Sequence, residues 1–340
     1  MTQLDLWHLR PHQGAHRVAA RAAVSVAVPL LVVVLAGHPE WSPYAAFGAF
    51  TSLYGRNHRH LSRATMQATA GAALFAAVLL GVLVGGLPHA AWWAVPVAGA
   101  VAYAGSHLAL AQDWHPPGSL FLVFAFGGCA SAPHGLGDLV PAAAVTAGSV
   151  LFALAVGAVG GVLQRSRTRP LPVRLHRSWL PARDAVAAVL AGGLAVLAGI
   201  GHPYWAMVAA VAPLSVRGMS GQLTRAVHRV GGTLVGLLPA AALLALDLRG
   251  VWLVALVAVL QFVTELLVGR NYGLALLAIT PLALLMGQAA HRVPVTGLLV
   301  DRGVETVLGS VAGVAVLALS HAYAGTRQSG APGAGPATPS

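Results

Sequence analysis

Glu265, Arg270 and Asn271 interrupt the longest apolar run of the chain, Val251 to Met286, and they are the residues most able to do chemistry there. The run is 36 residues long, whereas one membrane-crossing helix needs roughly 20. Gly269-Arg270-Asn271-Tyr272 therefore reads as a tight turn between two helices, with Glu265 about one helical turn inside the bilayer. An acid at that depth is costly unless it is paired. Two roles fit it: an ion pair with Arg270 or Arg229, or a proton carrier suited to proton-coupled antiport. Asp113 and His115 form the comparable titratable pair earlier in the chain. Standing beside Pro116-Pro117, they serve equally well as a helix cap and a turn.

Arginines at helix ends supply the second kind of chemistry. Arg56, Arg59 and Arg63 cluster early, Arg217, Arg225 and Arg229 cluster late, and Arg270 stands in the turn. A guanidinium can fix a carboxylate by two parallel hydrogen bonds, so such clusters can gather organic anions at a vestibule. They serve equally to set topology and to reach lipid phosphates. The expected anion-binding residues are Arg63, Arg225, Arg229 and Arg270, with Asn271 and Tyr272 of the turn. Neither a metal nor a cofactor is expected. The histidine-rich stretch Arg56-Asn57-His58-Arg59-His60 sets two arginines around its imidazoles and offers no carboxylate. A glycine-rich phosphate loop, a nucleophile elbow and a zinc motif are all missing, so the sequence gives no basis for an enzyme. The single cysteine, Cys129, excludes a disulfide within the chain.

The elements that must position these residues follow from composition. Hydrophobic residues make up 57% of the 340 and charged residues 9%, with mean hydropathy +0.75. Soluble domains carry about 25% charged residues, so this is an all-α polytopic membrane protein. Apolar runs predict about twelve transmembrane helices: 18–36, 41–54, 66–86, 91–110, 118–133 and 139–163, then 184–200, 203–217, 227–246, 251–268, 271–288 and 303–323. The net charge of +11 comes from 20 arginines and no lysine. Placing the N-terminus in the cytoplasm puts seventeen arginines on that side and leaves Arg249, Arg292 and Arg302 outside. That asymmetry predicts cytoplasmic termini in a plasma or inner membrane, with anionic lipid rather than nucleic acid as the basic surface's partner. Glu265 then reads as the one acid inside a span. Trp41, Trp92, Trp93, Trp205 and Trp252 fall near span ends, where an aromatic belt sits. Trp41 or Trp205 could instead touch an aromatic substrate. Spacings such as Gly81…Gly85, Gly157…Gly161, Gly232…Gly236 and Gly309…Gly313 suit close helix packing, within the chain or between protomers of a homo-oligomer.

An internal repeat organises the whole. Gly37-His38-Pro39-Glu40-Trp41 recurs as Gly201-His202-Pro203-Tyr204-Trp205, and Leu61-Ser62-Arg63-Ala64 as Leu223-Thr224-Arg225-Ala226. With six helices in each copy, the two halves have the same orientation, as parallel repeats. The predicted units are residues 1–163, a basic linker 164–183, residues 184–325 and a disordered tail 326–340. The turn at Asp113–Gly118 occupies in the first half the place of Gly269–Tyr272 in the second. Interrupted segments at matching positions of two halves point to a transporter's central site.

Arg270-Asn271-Tyr272-Gly273-Leu274-Ala275 with Ile279-Thr280-Pro281-Leu282-Ala283-Leu284 resembles the signature of the fusaric acid resistance protein-like family. His115-Pro116-Pro117-Gly118-Ser119-Leu120-Phe121 resembles its first-half counterpart. The resemblance extends over nearly the whole chain, and more distantly to plant aluminium-activated malate transporters. It implies an inner-membrane exporter of aromatic or other organic carboxylates. A passive anion channel and a non-transporting scaffold in envelope assembly are the alternative expectations. Many relatives carry a large cytoplasmic domain, and only the short linker stands in its place here.

Overall fold

The computed structural model describes Leu6, Leu9, Pro11 and residues 14–56, 60–162 and 178–329. Among these residues there are twelve α-helices and no strands. The first six are α1 (Ala15–Leu35), α2 (Ser42–Ala49), α3 (His60–Gly85), α4 (Ala90–Ala111), α5 (Leu120–Ala130) and α6 (Leu139–Val162). The others are α7 (Leu180–Leu197), α8 (Tyr204–Leu214), α9 (Met219–Ala245), α10 (Gly250–Leu267), α11 (Tyr272–Ala290) and α12 (Val295–Ser329). Nine of them are long and apolar enough to cross a membrane, which makes this a multi-pass membrane protein. Most of the basic linker and of the predicted tail lies outside the described residues.

The three remaining helices correct the expected set of full spans. The runs 41–54, 118–133 and 203–217 hold helices α2, α5 and α8, of 8, 11 and 11 residues. Eleven residues rise only about 16 Å, roughly half the hydrocarbon thickness. Such a helix can end at membrane depth only if protein covers its ends. α8 meets this condition, because every residue from Trp205 to Leu214 is buried.

Two boundaries move charged residues inward. α7 starts at Leu180, so Arg183, expected in the linker, is buried within a helix. α12 starts at Val295, about two turns before the predicted 303. Arg302, expected in an outer loop, is instead buried inside it.

Helix ends show local sequence at work. α1 stops where Gly37 turns left-handed at φ 82°, letting His38 N–H reach Val33 O at 2.9 Å and Gly37 N–H reach Val34 O at 3.1 Å. α7 stops the same way at Gly199, φ 69°, with Ile200 N–H on Ala195 O and Gly199 N–H on Val196 O, both at 3.1 Å. The capping glycine is thus Gly199, two residues before the Gly201 that matches Gly37 in sequence.

Helix partners recur six helices later. α3 packs on α5 and α9 on α11; α2 packs on α6 and α8 on α12. Across the middle, α1 packs on α10 and α4 on α7. The paired glycines lie at these seams. A Cβ built at Gly232 or Gly236 of α9 would sit 2.7 Å from a carbonyl oxygen of α11 (Gly273, Leu276). Gly81 and Gly85 of α3 press on α5 and its following turn, and Gly309 and Gly313 of α12 on α8, so these contacts form within the chain. Gly236→Val is therefore expected to cost about 1–3 kcal/mol through overpacking, read as a lower melting temperature in detergent. Exposed Gly148 has open space around it, and Gly148→Val should melt like the parent. Equal melting of both variants would refute the close α9–α11 contact.

Trp92, Trp93 and Trp252 are exposed, as an aromatic belt requires. Trp205 is not part of it. Its indole is buried at the centre of the molecule.

Candidate functional site

The short helices end around a central cavity of about 270 Å³. α5, α8, α9, α10, α11 and α12 line it, together with Phe50 and Leu53 following α2, Arg56, and the turn His115–Pro117. One wall is aromatic. Phe50 meets Phe121 edge-on at 5.4 Å between ring centroids, and Phe124 lies 4.9 Å from Trp205. Arginines make the cavity's lining cationic as well.

Of the expected anion-binding residues, Arg225, Arg229 and Tyr272 come together there. The Arg225 guanidinium lies 4.0 Å from the Tyr272 ring centroid and donates through Nε to Ala212 O at 3.0 Å. Arg229 donates through Nη1 to the Tyr272 hydroxyl at 3.0 Å. Its side chain is 3% exposed, and its Nε and Nη2 have no partner within the protein.

The other predicted anion ligands stand elsewhere. Arg63 donates through Nη2 to Gly157 O at 2.8 Å and lies off the cavity, unlike its sequence counterpart Arg225. The divergence continues one turn on, where Gln67 stands four residues after Arg63 and Arg229 four after Arg225. Gln67 is spent on the Tyr54 carbonyl at 3.1 Å, so of the two matched stretches only the one in α9 brings arginines to the cavity. Asn271 caps α11: its Oδ1 accepts from Leu274 N–H at 3.1 Å. Its Nδ2 donates to Leu6 O at 3.0 Å, so both ends of the amide are spent on backbone. Arg270 is half-buried in the turn and does not line the cavity.

Glu265 does line it, but its ion-pair partner is neither Arg270 nor Arg229. Arg56, from the other half of the chain, donates to Glu265 Oε2, and Gln261 Nε2 approaches Oε1 at 3.4 Å. Asp113 is exposed and faces Arg217 at 3.6 Å. It lines a neighbouring cavity of about 580 Å³, not the central one. His115 lines both, with its Nδ1 2.9 Å from Asp113 O.

Sequence reasoning missed two residues at the centre. Arg302 is 1% exposed and lies 3.8 Å from the Trp205 ring centroid; its Nε and Nη1 have no partner within the protein. One turn further along α12, Glu305 is fully buried. Its Oε1 accepts the His202 backbone N–H at 3.0 Å, while Oε2 has no partner. Glu265 is therefore not the one acid inside a helix. The available signal was the spacing Arg302…Glu305, which puts opposite charges on one helical face. Asp184 is a third buried acid, but all its oxygens are used. Arg183 donates to Oδ1 at 3.0 and 3.2 Å, and Ser106 donates to Oδ2 at 2.6 Å. Arg183 also donates to Leu214 O at 2.9 Å, which ties α4, α7 and α8 together.

Among the described residues the central cavity thus presents four arginines against one carboxylate, and that carboxylate is already paired with one of the four. Guanidinium nitrogens left without acceptors in a buried, aromatic-walled space suit a carboxylate carried on a ring. Two further cavities share walls with it. It shares His115, Pro117, Ser215 and Val216 with the 580 Å³ cavity, and Trp205 and Ala283 with a third of about 360 Å³. The third is lined by Glu40, Tyr44, His134, His202 and His291 among others. There burial, followed by the neighbouring His134, lowers the pKa of His291 below its ordinary value, with Glu40 opposing.

These features define a class: a helical multi-pass membrane protein with a cation-lined cavity at its centre. Residues 188–316 match the family described as fusaric acid resistance protein-like. The matched stretch contains Arg225, Arg229, Glu265, Tyr272, Arg302 and Glu305. The chain is also 32% identical over 117 residues to the uncharacterized membrane protein YvaC of Bacillus subtilis (strain 168). That alignment covers 34% of this chain and 18% of the relative. No solved structure matches the chain.

Proposed function

We propose that the protein is a secondary exporter of aromatic carboxylates in the plasma or inner membrane. The observation that carries this reading is a pair of buried arginines, Arg229 and Arg302, that line an aromatic-walled cavity and each keep two guanidinium nitrogens without a hydrogen-bond partner in the protein. The guanidiniums take the carboxylate, with Arg225 held beside them on the Tyr272 ring. Phe121, Phe124 and Trp205 take the ring. The chain of three cavities supplies a route, with Trp205 and Ala283 dividing the central chamber from the third.

Two parallel six-helix units, 1–163 and 184–325, build this route. The recurrence of helix partners six positions later supports the duplication, as do the matching caps at Gly37 and Gly199. Cytoplasmic termini follow from the arginine asymmetry, which holds when the buried Arg183, Arg229 and Arg302 are removed from the tally. Small organic anions and membrane lipid are the partners.

Flux in proteoliposomes tests the proposal. Benzoate should pass through reconstituted protein and saturate, while benzyl alcohol, which lacks the charge, should gain nothing over empty vesicles. Currents that follow the anion's gradient without saturating would mark a passive channel. Absence of flux for a panel of aromatic acids, with a co-purifying partner, would mark a scaffold.

A further inference from the structure

Glu305 belongs to neither the cationic lining nor an ion pair of the Arg56–Glu265 kind, and its surroundings give it a separate task. Its Oε1 is held by the His202 N–H at the start of α8, and its Oε2 meets no donor. Protonation at Oε2 therefore breaks no hydrogen bond. The charged and titratable groups facing it are Arg302 and Asp301 from α12, His202 from the α7–α8 turn and Tyr204 from α8. Arg302 in turn lies within electrostatic range of Arg229 of α9 and Tyr272 of α11. Towards the third cavity stands His202, whose N–H holds the carboxyl. His202 lines that cavity, and its Nδ1 stands 3.2 Å from Asp301 Oδ2, both side chains being partly exposed. Towards the central cavity stands Arg302, one helical turn away.

We infer that Glu305 is a proton-binding site that sets the charge of the anion site, so that the carboxylate ligand and a proton bind together. This rests on the proposed anion site. When Glu305 is ionised it offsets Arg302 and weakens the hold on an anion. When Glu305 takes a proton at Oε2, delivered from the third cavity past His202 and Asp301, Arg302 is left as an uncompensated cation and the anion binds. The species carried is then the equivalent of the undissociated acid. Transport of a monocarboxylate becomes electroneutral and follows the acid's own gradient, in place of exchange against protons.

Titration calorimetry of benzoate into the purified full chain, in two amine buffers of different ionisation enthalpy, reads the linkage directly. At a pH where benzoate and Glu305 are both ionised, the wild type should take up close to one proton per benzoate bound. Its affinity should rise about tenfold per unit fall in pH. Glu305→Gln should bind benzoate with no proton uptake and a flat pH profile, while Asp301→Asn should keep the uptake. As a second reading that needs no variant, infrared difference spectra of the wild type should gain a protonated-carboxyl band on benzoate addition. Binding without uptake and without that band, or uptake undiminished in Glu305→Gln, overturns this inference and leaves the anion site standing. No benzoate binding at any pH overturns both.

Discussion

Arg302→Gln is expected to lower benzoate flux through reconstituted protein by roughly ten- to a hundredfold, with the protein still folded in the membrane. A hydrogen bond to a charged group contributes about 1.5–3 kcal/mol, and each 1.4 kcal/mol is about a factor of ten. Arg302 and Arg229 each have two guanidinium nitrogens free of protein partners, so Arg229→Gln should have an effect of similar size. The loss in Arg229→Gln also frees the Tyr272 hydroxyl, which makes Arg302 the cleaner probe. Arg63→Gln is the control. Its guanidinium serves the Gly157 carbonyl and lies off the cavity, so flux per folded molecule should match the wild type. Equal losses in Arg63→Gln and Arg302→Gln would show that net positive charge, and not this cavity, sets the flux.

Glu265→Ala is expected to act first on stability. It leaves the Arg56 cation without its counter-ion at the seam between the two halves. Removing one partner of a buried pair costs about 3–5 kcal/mol. Because Arg56 is partly exposed, the lower end applies, about 3 kcal/mol, read by thermal or denaturant unfolding in detergent. Replacing both members, Arg56→Met with Glu265→Met, should recover most of that loss, since no unpaired charge then remains. Glu265→Gln should retain whatever pH-gradient dependence the wild type shows. A Glu265→Gln protein that melts like the wild type yet loses gradient dependence would instead make Glu265 the coupling carboxylate.

The helices were legible in the sequence because a bilayer forces long apolar runs, and the breaks between runs fall at Gly, Pro and Arg. The central turn was legible for the same reason: Arg270 and Asn271 cannot continue a lipid-facing helix. What they do there was not legible, because Asn271 as a cap and Asn271 as a ligand look alike in sequence. Hydropathy also placed Arg302 outside the membrane, since a charge at the edge of an apolar run is assigned to the loop. The helix in fact begins at Val295, and Trp205 from α8 covers the guanidinium. That contact joins residues about a hundred positions apart, and no local pattern announces it. Arg63 and Arg225 show the opposite limit. Their sequence match is real, yet Gln67 and Arg229 one turn later give the two sites different surroundings.

Equilibrium dialysis of labelled benzoate against the purified full chain tests the central claim most directly, comparing the wild type with an Arg229→Gln, Arg302→Gln double variant that elutes and melts as a folded protein. The arginine-lined cavity predicts one saturable site per chain in the wild type and its loss in the double variant. Saturable binding that survives in the double variant at unchanged affinity would contradict it.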